Sequence, residues 1–263
     1  MSKYLLLMLV ALSCEAKTIK IAIIDTGIDL NNKEFKLCIN ESKDFTESKE
    51  GIQDAHGHGT HVASLIQEYA GNGDYCLVIL KYYLEKATGA ENLKRSNEAF
   101  IYAFKLKVDY INYSGGGPEP SDLERKLIKN NPKTTIIAAM GNDRSNLDLY
   151  CDYYPTCYNY KNVIRVGNID IRGRRAPSSN RYSKADYWAW GWNVKAKSIG
   201  NRLVYMTGTS QATAKVTGLL VKRRLNTRQS YNGLTYKADG LFIQVLDIID
   251  CAKWHNRCIN INK

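Results

Sequence analysis

Beyond residue 12 the chain has no apolar run long enough to cross a bilayer as a helix, which takes about 20 residues. A polytopic membrane protein is therefore excluded. No repeat with a period of about 20–50 residues is present, which excludes solenoid and propeller arrays. There is no low-complexity tract and no Pro/Gly/Ser-rich linker to divide the chain. The C-x-x-C pairs of structural zinc sites are missing, and so is the H-E-x-x-H pattern of zinc peptidases. Acidic charge is in deficit: 26 Asp and Glu stand against 37 Lys and Arg, a net charge of +11. The basic residues are dispersed, with small clusters at 172–175 and 222–228, and no recognised nucleic-acid module accompanies them. They read as a solvated surface, so no nucleic-acid partner is expected.

What is present is an ordinary globular composition, 44% hydrophobic and 24% charged. Residues 1–16 stand apart. Lys3 gives a positive start, an apolar run covers 4–12, and small residues follow at Ser13 and Ala16, the layout of a secretory signal peptide. Secretion or a periplasmic location is the expectation, with membrane attachment only if Cys14 carries a lipid; Ala11-Leu12-Ser13 fits a lipoprotein site poorly. In an exported chain the other six cysteines suggest disulfides. Six cysteines allow 15 pairings. Short loops favour Cys151–Cys157 and Cys251–Cys258, which would leave Cys38–Cys76.

From residue 17 to 263 the chain reads as one domain. Apolar runs at 19–24, 77–80, 108–113, 134–140 and 163–166 read as buried strands. Between them helical periodicity covers 60–69, 91–107, 121–129 and 211–224, and a last helix is expected over 241–249. Alternating strands and helices predict an α/β fold with three layers, a mostly parallel central β-sheet flanked by helices. In such sheets functional groups gather at the carboxyl ends of strands. Asp25, Ser114 and Asn142 each follow an apolar run.

Three segments carry chemistry: Ile23-Ile24-Asp25-Thr26-Gly27, His56-Gly57-His58-Gly59-Thr60-His61, and Gly208-Thr209-Ser210-Gln211-Ala212. Alone, an Asp at a strand end is a turn residue and a Gly-Thr-Ser before a helix is a cap. Together they supply an orienting acid, a base and a nucleophile. A serine hydroxyl attacks only when a base accepts its proton, and neutral imidazole suits that task near neutral pH. A carboxylate holds the imidazole tautomer and stabilises the imidazolium. Ser210 at a helix start has free backbone N–H groups nearby for a developing oxyanion.

With these motifs the chain resembles the subtilisin-like serine proteases, in which the triad runs Asp, His, Ser along the sequence. Two further segments share the resemblance: Ile111-Asn112-Tyr113-Ser114-Gly115-Gly116-Gly117-Pro118, and Ala138-Ala139-Met140-Gly141-Asn142. The resemblance covers roughly 19–225. It implies a serine endopeptidase with Asp25, His58 and Ser210 as triad and Asn142 in the oxyanion hole. Ser114, Gly115 and Gly116 would receive the substrate as an added strand, and His61 would be structural. Protein or peptide substrates and a monomer are implied; no metal or cofactor is needed for catalysis, and structural calcium is left open. Departures from the family pattern are Gln211-Ala212-Thr213-Ala214 where Met-Ala-x-Pro is usual, Gly115 in place of Leu, and Arg165 in place of an apolar residue. Gly115 suggests a more open pocket wall. The first strand starts at Ile19, directly after the leader, so no pro-segment is expected between them.

Two other readings use the same residues. A metal hydrolase could use His56, His58 and His61, although their pattern suits the protease motif better. A catalytically inactive relative could bind peptides along 114–116.

Overall fold

The computed structural model describes residues 17–231 and 248–250. Its centre is a sheet of β1 (Ile19–Asp25), β2 (Lys43–Asp44), β3 (Tyr75–Lys81), β4 (Tyr110–Tyr113), β5 (Thr135–Ala139), β6 (Val163–Ile169), β7 (Tyr187–Trp190) and β10 (Ile248–Asp250). The spatial order is β10-β7-β6-β5-β4-β1-β3-β2. Seven strands run parallel, and β10 pairs antiparallel with β7 at one edge. A separate hairpin is formed by β8 (Val194–Lys197) and β9 (Leu203–Met206). Among the described residues there are four α-helices: α1 (His58–Ala70), α2 (Gly89–Lys105), α3 (Asp122–Asn130) and α4 (Thr209–Tyr231).

The period-2 alternation of β1 assigns the helices to layers. Ile19, Ile21 and Ile23 pack with Val62, Leu65 and Ile66 of α1 and Ala212, Ala214 and Val216 of α4. Ala22 and Ile24, on the other face, pack with Ala99, Phe100 and Phe104 of α2 and Ile128 of α3. Both faces of the sheet are covered, which is why its strands read as unbroken apolar runs. The α/β, three-layer architecture expected from the sequence is the one formed. In the layer beside α1, α4 runs at close range: a Cβ on Gly218 would lie 2.5 Å from the Ile66 carbonyl oxygen and 2.6 Å from Tyr69 Cβ. Only glycine permits that approach.

β1 lies between β3 and β4, so chain connections leave it in opposite directions. Its carboxyl end is a switch point of the sheet, where α/β folds have room for a site.

Some expectations need correction. Of the helix expected over 241–249, Ile248 and Ile249 lie instead in β10, paired with Ala189 and Trp188, and 241–247 lie outside the described residues. Short apolar runs do not distinguish strand from helix by pattern alone. The strands β2, β7, β8 and β9 are two to four residues long, too short for the sequence pattern to announce them. The disulfides Cys38–Cys76 and Cys151–Cys157 are formed, with Cα separations of 5.4 and 5.6 Å. Cys251 and Cys258, and the leader 1–16 with Cys14, lie outside the described residues.

Arg165, the charged departure in β6, is buried. Its guanidinium donates to the carbonyl oxygens of Thr156 (3.2 Å), Tyr158 (3.1 Å) and Val163 (3.2 Å), and pairs with Asp186 at 3.0 Å. It latches the loop after Cys151 to the sheet. Replacing it strands several buried acceptors, each costing about 1–3 kcal/mol when left unpaired. We therefore expect Arg165→Leu to lower unfolding free energy by about 2–4 kcal/mol in urea. A loss too small to resolve would show that water or neighbours replace those bonds.

Candidate functional site

The carboxyl ends of β1, β4 and β5 and the amino ends of α1 and α4 meet in one cleft. Asp25, the last residue of β1, is buried, and its Oδ1 accepts from the Thr26 amide at 2.8 Å and from His58 Nδ1 at 2.7 Å. A carboxylate only accepts, so the proton of the His58 ring sits on Nδ1 and Nε2 is left with its lone pair. His58 opens α1, whose N-cap residue Gly57 provides no side-chain bond.

The cap comes instead from Asp54, a residue the motif reading did not single out. Its buried carboxylate accepts from the amides of His56 (2.9 Å), Gly57 (2.8 Å) and Thr60 (2.9 Å) and from the hydroxyls of Thr60 (2.6 Å) and Thr26 (3.0 Å). Thr26 Oγ1 in turn accepts from the Gly59 amide at 2.8 Å. The turn after β1 and the start of α1 are thereby one hydrogen-bonded unit. Gly59 has to be glycine there, since a Cβ would fall 2.3 Å from the Gly27 carbonyl oxygen. Burial raises the Asp54 pKa, but the bonds from Thr60, Gly57 and His56 outweigh it and hold the carboxyl below the usual range. An acidic residue just ahead of a helix start was the available signal.

Ser210 is buried at the second position of α4, and its hydroxyl donates to the Ser114 carbonyl at 3.1 Å. Asn142 follows β5, and its Oδ1 accepts from the Thr209 amide at 3.0 Å, which turns the amide nitrogen the other way. Helix α4 enters at Thr209 without the proline usual in the resembling family. Asn112 donates to Ser114 Oγ at 3.0 Å and accepts from Thr217 at 2.9 Å, tying β4 to α4.

The resulting cleft, about 250 Å³, is lined by Asp25, His58, Ser114, Gly115, Gly116 and Tyr153, among others. Ser210, bonded to the Ser114 carbonyl, and Asn142, bonded to the Thr209 amide, adjoin it at the same edge of the sheet. The open wall expected at Gly115 is not found: a Cβ there would lie 2.1 Å from the Tyr82 hydroxyl, so Tyr82 takes the space. His61 faces inward and its Nε2 lies 3.1 Å from the Val204 carbonyl. Burial keeps its pKa below the ordinary value. Among the described residues no group of three or more His, Cys, Asp or Glu is placed to hold a metal ion.

The sequence pattern of the Subtilase family matches residues 16–237. The chain belongs to the subtilase family. It is 31% identical over 230 residues to the major intracellular serine protease of Bacillus subtilis (strain 168), covering 82% of this chain and 72% of that one. To an intracellular serine protease of Paenibacillus polymyxa it is 32% identical over 216 residues, 77% of this chain and 65% of the relative. Among solved structures, a lanthipeptide protease superposes with a TM-score of 0.70 at 20% identity, over 81% of this chain and 75% of the other. A cold adapted subtilisin-like serine proteinase gives 0.66 at 24% identity, over 82% and 77%. These likenesses are to the subtilase fold. As a subtilase the chain is a serine-type endopeptidase acting on peptides or proteins. Among the described residues no helix is long and apolar enough to cross a membrane.

Burial alone would lower the His58 pKa, but the charge and hydrogen bond of Asp25, with the charge of Asp54, bring it above the usual imidazole value. The titration midpoint of the His58 ring, followed by NMR, is expected above about 6.5. In Asp25→Asn the raising causes shrink while burial persists, so the midpoint should fall. An unchanged midpoint would remove Asp25 as its cause.

Proposed function

We propose that this subtilase hydrolyses peptide bonds through an acyl-enzyme, with Ser210 as nucleophile, His58 as general base and then acid, and Asp25 as orienting carboxylate. The observation that carries the reading is the 2.7 Å Asp25–His58 bond beside the helix start that presents Ser210. Asn142 Nδ2 and the Ser210 amide would hold the oxyanion.

Ser114, Gly115 and Gly116 would pair with the substrate backbone as an added strand. A substrate N–H donating to the Ser114 carbonyl would compete with the Ser210 hydroxyl for that acceptor. The hydroxyl would then turn towards His58 Nε2, whose lone pair the Asp25 bond has left exposed. Attack moves the hydroxyl proton to Nε2 and builds charge on the substrate carbonyl oxygen. Collapse expels the amine, which takes that proton, and water repeats the sequence to free the acid. None of these steps calls for a metal or a redox cofactor. The same reading takes 17–263 as one catalytic domain, monomeric and exported behind the 1–16 leader, with a lipid at Cys14 as the only route to a membrane.

Ser210→Ala should cut turnover by on the order of 10⁶ while the fold persists, and should abolish labelling by a fluorophosphonate. Activity within tenfold of the parent would place the nucleophile elsewhere.

Asn142→Ala should leave KM nearly unchanged and lower kcat by about 10²–10³, since the amide bonds mainly to charge that develops in the transition state. A change confined to KM would make Asn142 a ground-state contact.

A further inference from the structure

Two glycines border the place where a substrate carbonyl would meet Ser210. Gly116 ends the 114–116 segment, and Gly141 immediately precedes Asn142. A Cβ built on Gly116 would lie 2.4 Å from Tyr153 Cε1, and one built on Gly141 would lie 2.6 Å from Tyr153 Cε2. The two backbones therefore clasp opposite edges of one aromatic ring. That ring also lines the cleft that holds Asp25 and His58.

The ring is held from several directions. Tyr153 lies inside the loop closed by the Cys151–Cys157 disulfide, and its carbonyl accepts from the Cys157 amide at 2.9 Å. The next residue, Tyr154, donates its amide to the Gly117 carbonyl at 2.9 Å, which pins the loop to the 114–117 segment. Thr156 Oγ1 donates to the Ala139 carbonyl at 2.8 Å at the end of β5, and Arg165 grips the Thr156 and Tyr158 carbonyls. Beneath the loop, Tyr153 packs on a buried cluster that includes Met140, Tyr182 and Trp188. Swinging the ring out would mean breaking this set of contacts.

A peptide paired with Ser114–Gly116 puts the residue whose carbonyl is attacked between these two glycine-bearing segments. Its side chain must enter the gap between them or point away from the protein. The gap is already filled by Tyr153. We propose that Tyr153 fills the side-chain pocket for the residue on the acyl side of the scissile bond, so that this subtilase cleaves after glycine or alanine and rejects large side chains there. The inference rests on the serine-endopeptidase reading above. Packed interiors accept added volume only by strain or displacement, and that cost falls on the large substrate. The selecting element is thus a residue of the disulfide loop.

The test uses the full chain and peptide p-nitroanilides identical except for the last residue, Ala or Phe. For the parent protein kcat/KM should favour Ala by about 100-fold or more, the scale on which a shaped pocket discriminates. In Tyr153→Ala that ratio should shrink at least about tenfold, while Tyr153→Phe, which keeps the ring, should retain it. Equal rates on Ala and Phe in the parent protein would show that the ring moves aside and would overturn the proposal, whether or not the variants fold. An unchanged ratio in a folded Tyr153→Ala would also overturn it. Fluorophosphonate labelling of Ser210 separates the two levels. If Ser210 is labelled but Ala and Phe peptides react alike, only the Tyr153 assignment falls. If Ser210 is neither labelled nor needed for hydrolysis, the triad falls and the assignment with it.

Discussion

One buried carboxylate, Asp54, joins the end of the central strand to the helix that carries His58. It accepts five hydrogen bonds, from the amides of His56, Gly57 and Thr60 and the hydroxyls of Thr60 and Thr26. Through them the turn after β1 and the first turn of α1 move as one body. Asp25 sits at the end of that strand and His58 at the start of that helix, so the Asp54 network sets the 2.7 Å bond between them. A buried charge without those donors would be expensive, and with them it becomes rigid. The same charge also acts on the imidazole, adding to Asp25 in raising its pKa.

The other half of the site depends on how closely two helices approach. Helix α4 presents Ser210, and it lies against α1 at Gly218, where a side chain would collide with the α1 backbone. A side chain there would push α4 outward and carry Ser210 away from His58. The bond from Asn112 to Ser114, with that from Thr217 to Asn112, fixes α4 relative to β4 as well. The sheet supplies the frame: β1, β4 and β5 are parallel neighbours, so their carboxyl ends lie at one edge.

Around this frame three tyrosines, Tyr82, Tyr83 and Tyr153, line the cleft. Tyr82 fills the space beside Gly115, and Tyr153 fills the space between Gly116 and Gly141. Glycines just beyond the ends of β4 and β5 and large rings from other loops exchange volume, so the outline of the cleft is set by residues distant in sequence. Arg165 shows the same division of labour in polar terms. A charged residue inside a core strand is tolerated because it satisfies two loop carbonyls, one carbonyl of its own strand and Asp186 at once.

Much of this was legible in order along the chain. The apolar runs ending at Asp25, before Ser114 and before Asn142 identify parallel strands, because a strand covered on both faces has no polar side to show. The motifs around Asp25, His58 and Ser210 name the chemistry, because each residue type has one plausible role beside the others. Local signals failed where an element is short or its role comes from a distant partner. Tyr187–Trp190 and Ile248–Asp250 become strands only by pairing with the sheet edge. Gly115 suggested an open wall because sequence records the missing side chain and not the Tyr82 ring that replaces it. Asp54 looks like any loop acid until the amides it caps are folded around it. The sequence by itself therefore determined the layer architecture and the chemical character of the site, since periodicity and residue type are local properties. The tertiary structure alone decided which side chains hold the site rigid and which rings shape its cleft, since those contacts join residues tens of positions apart and exist only once the chain is packed.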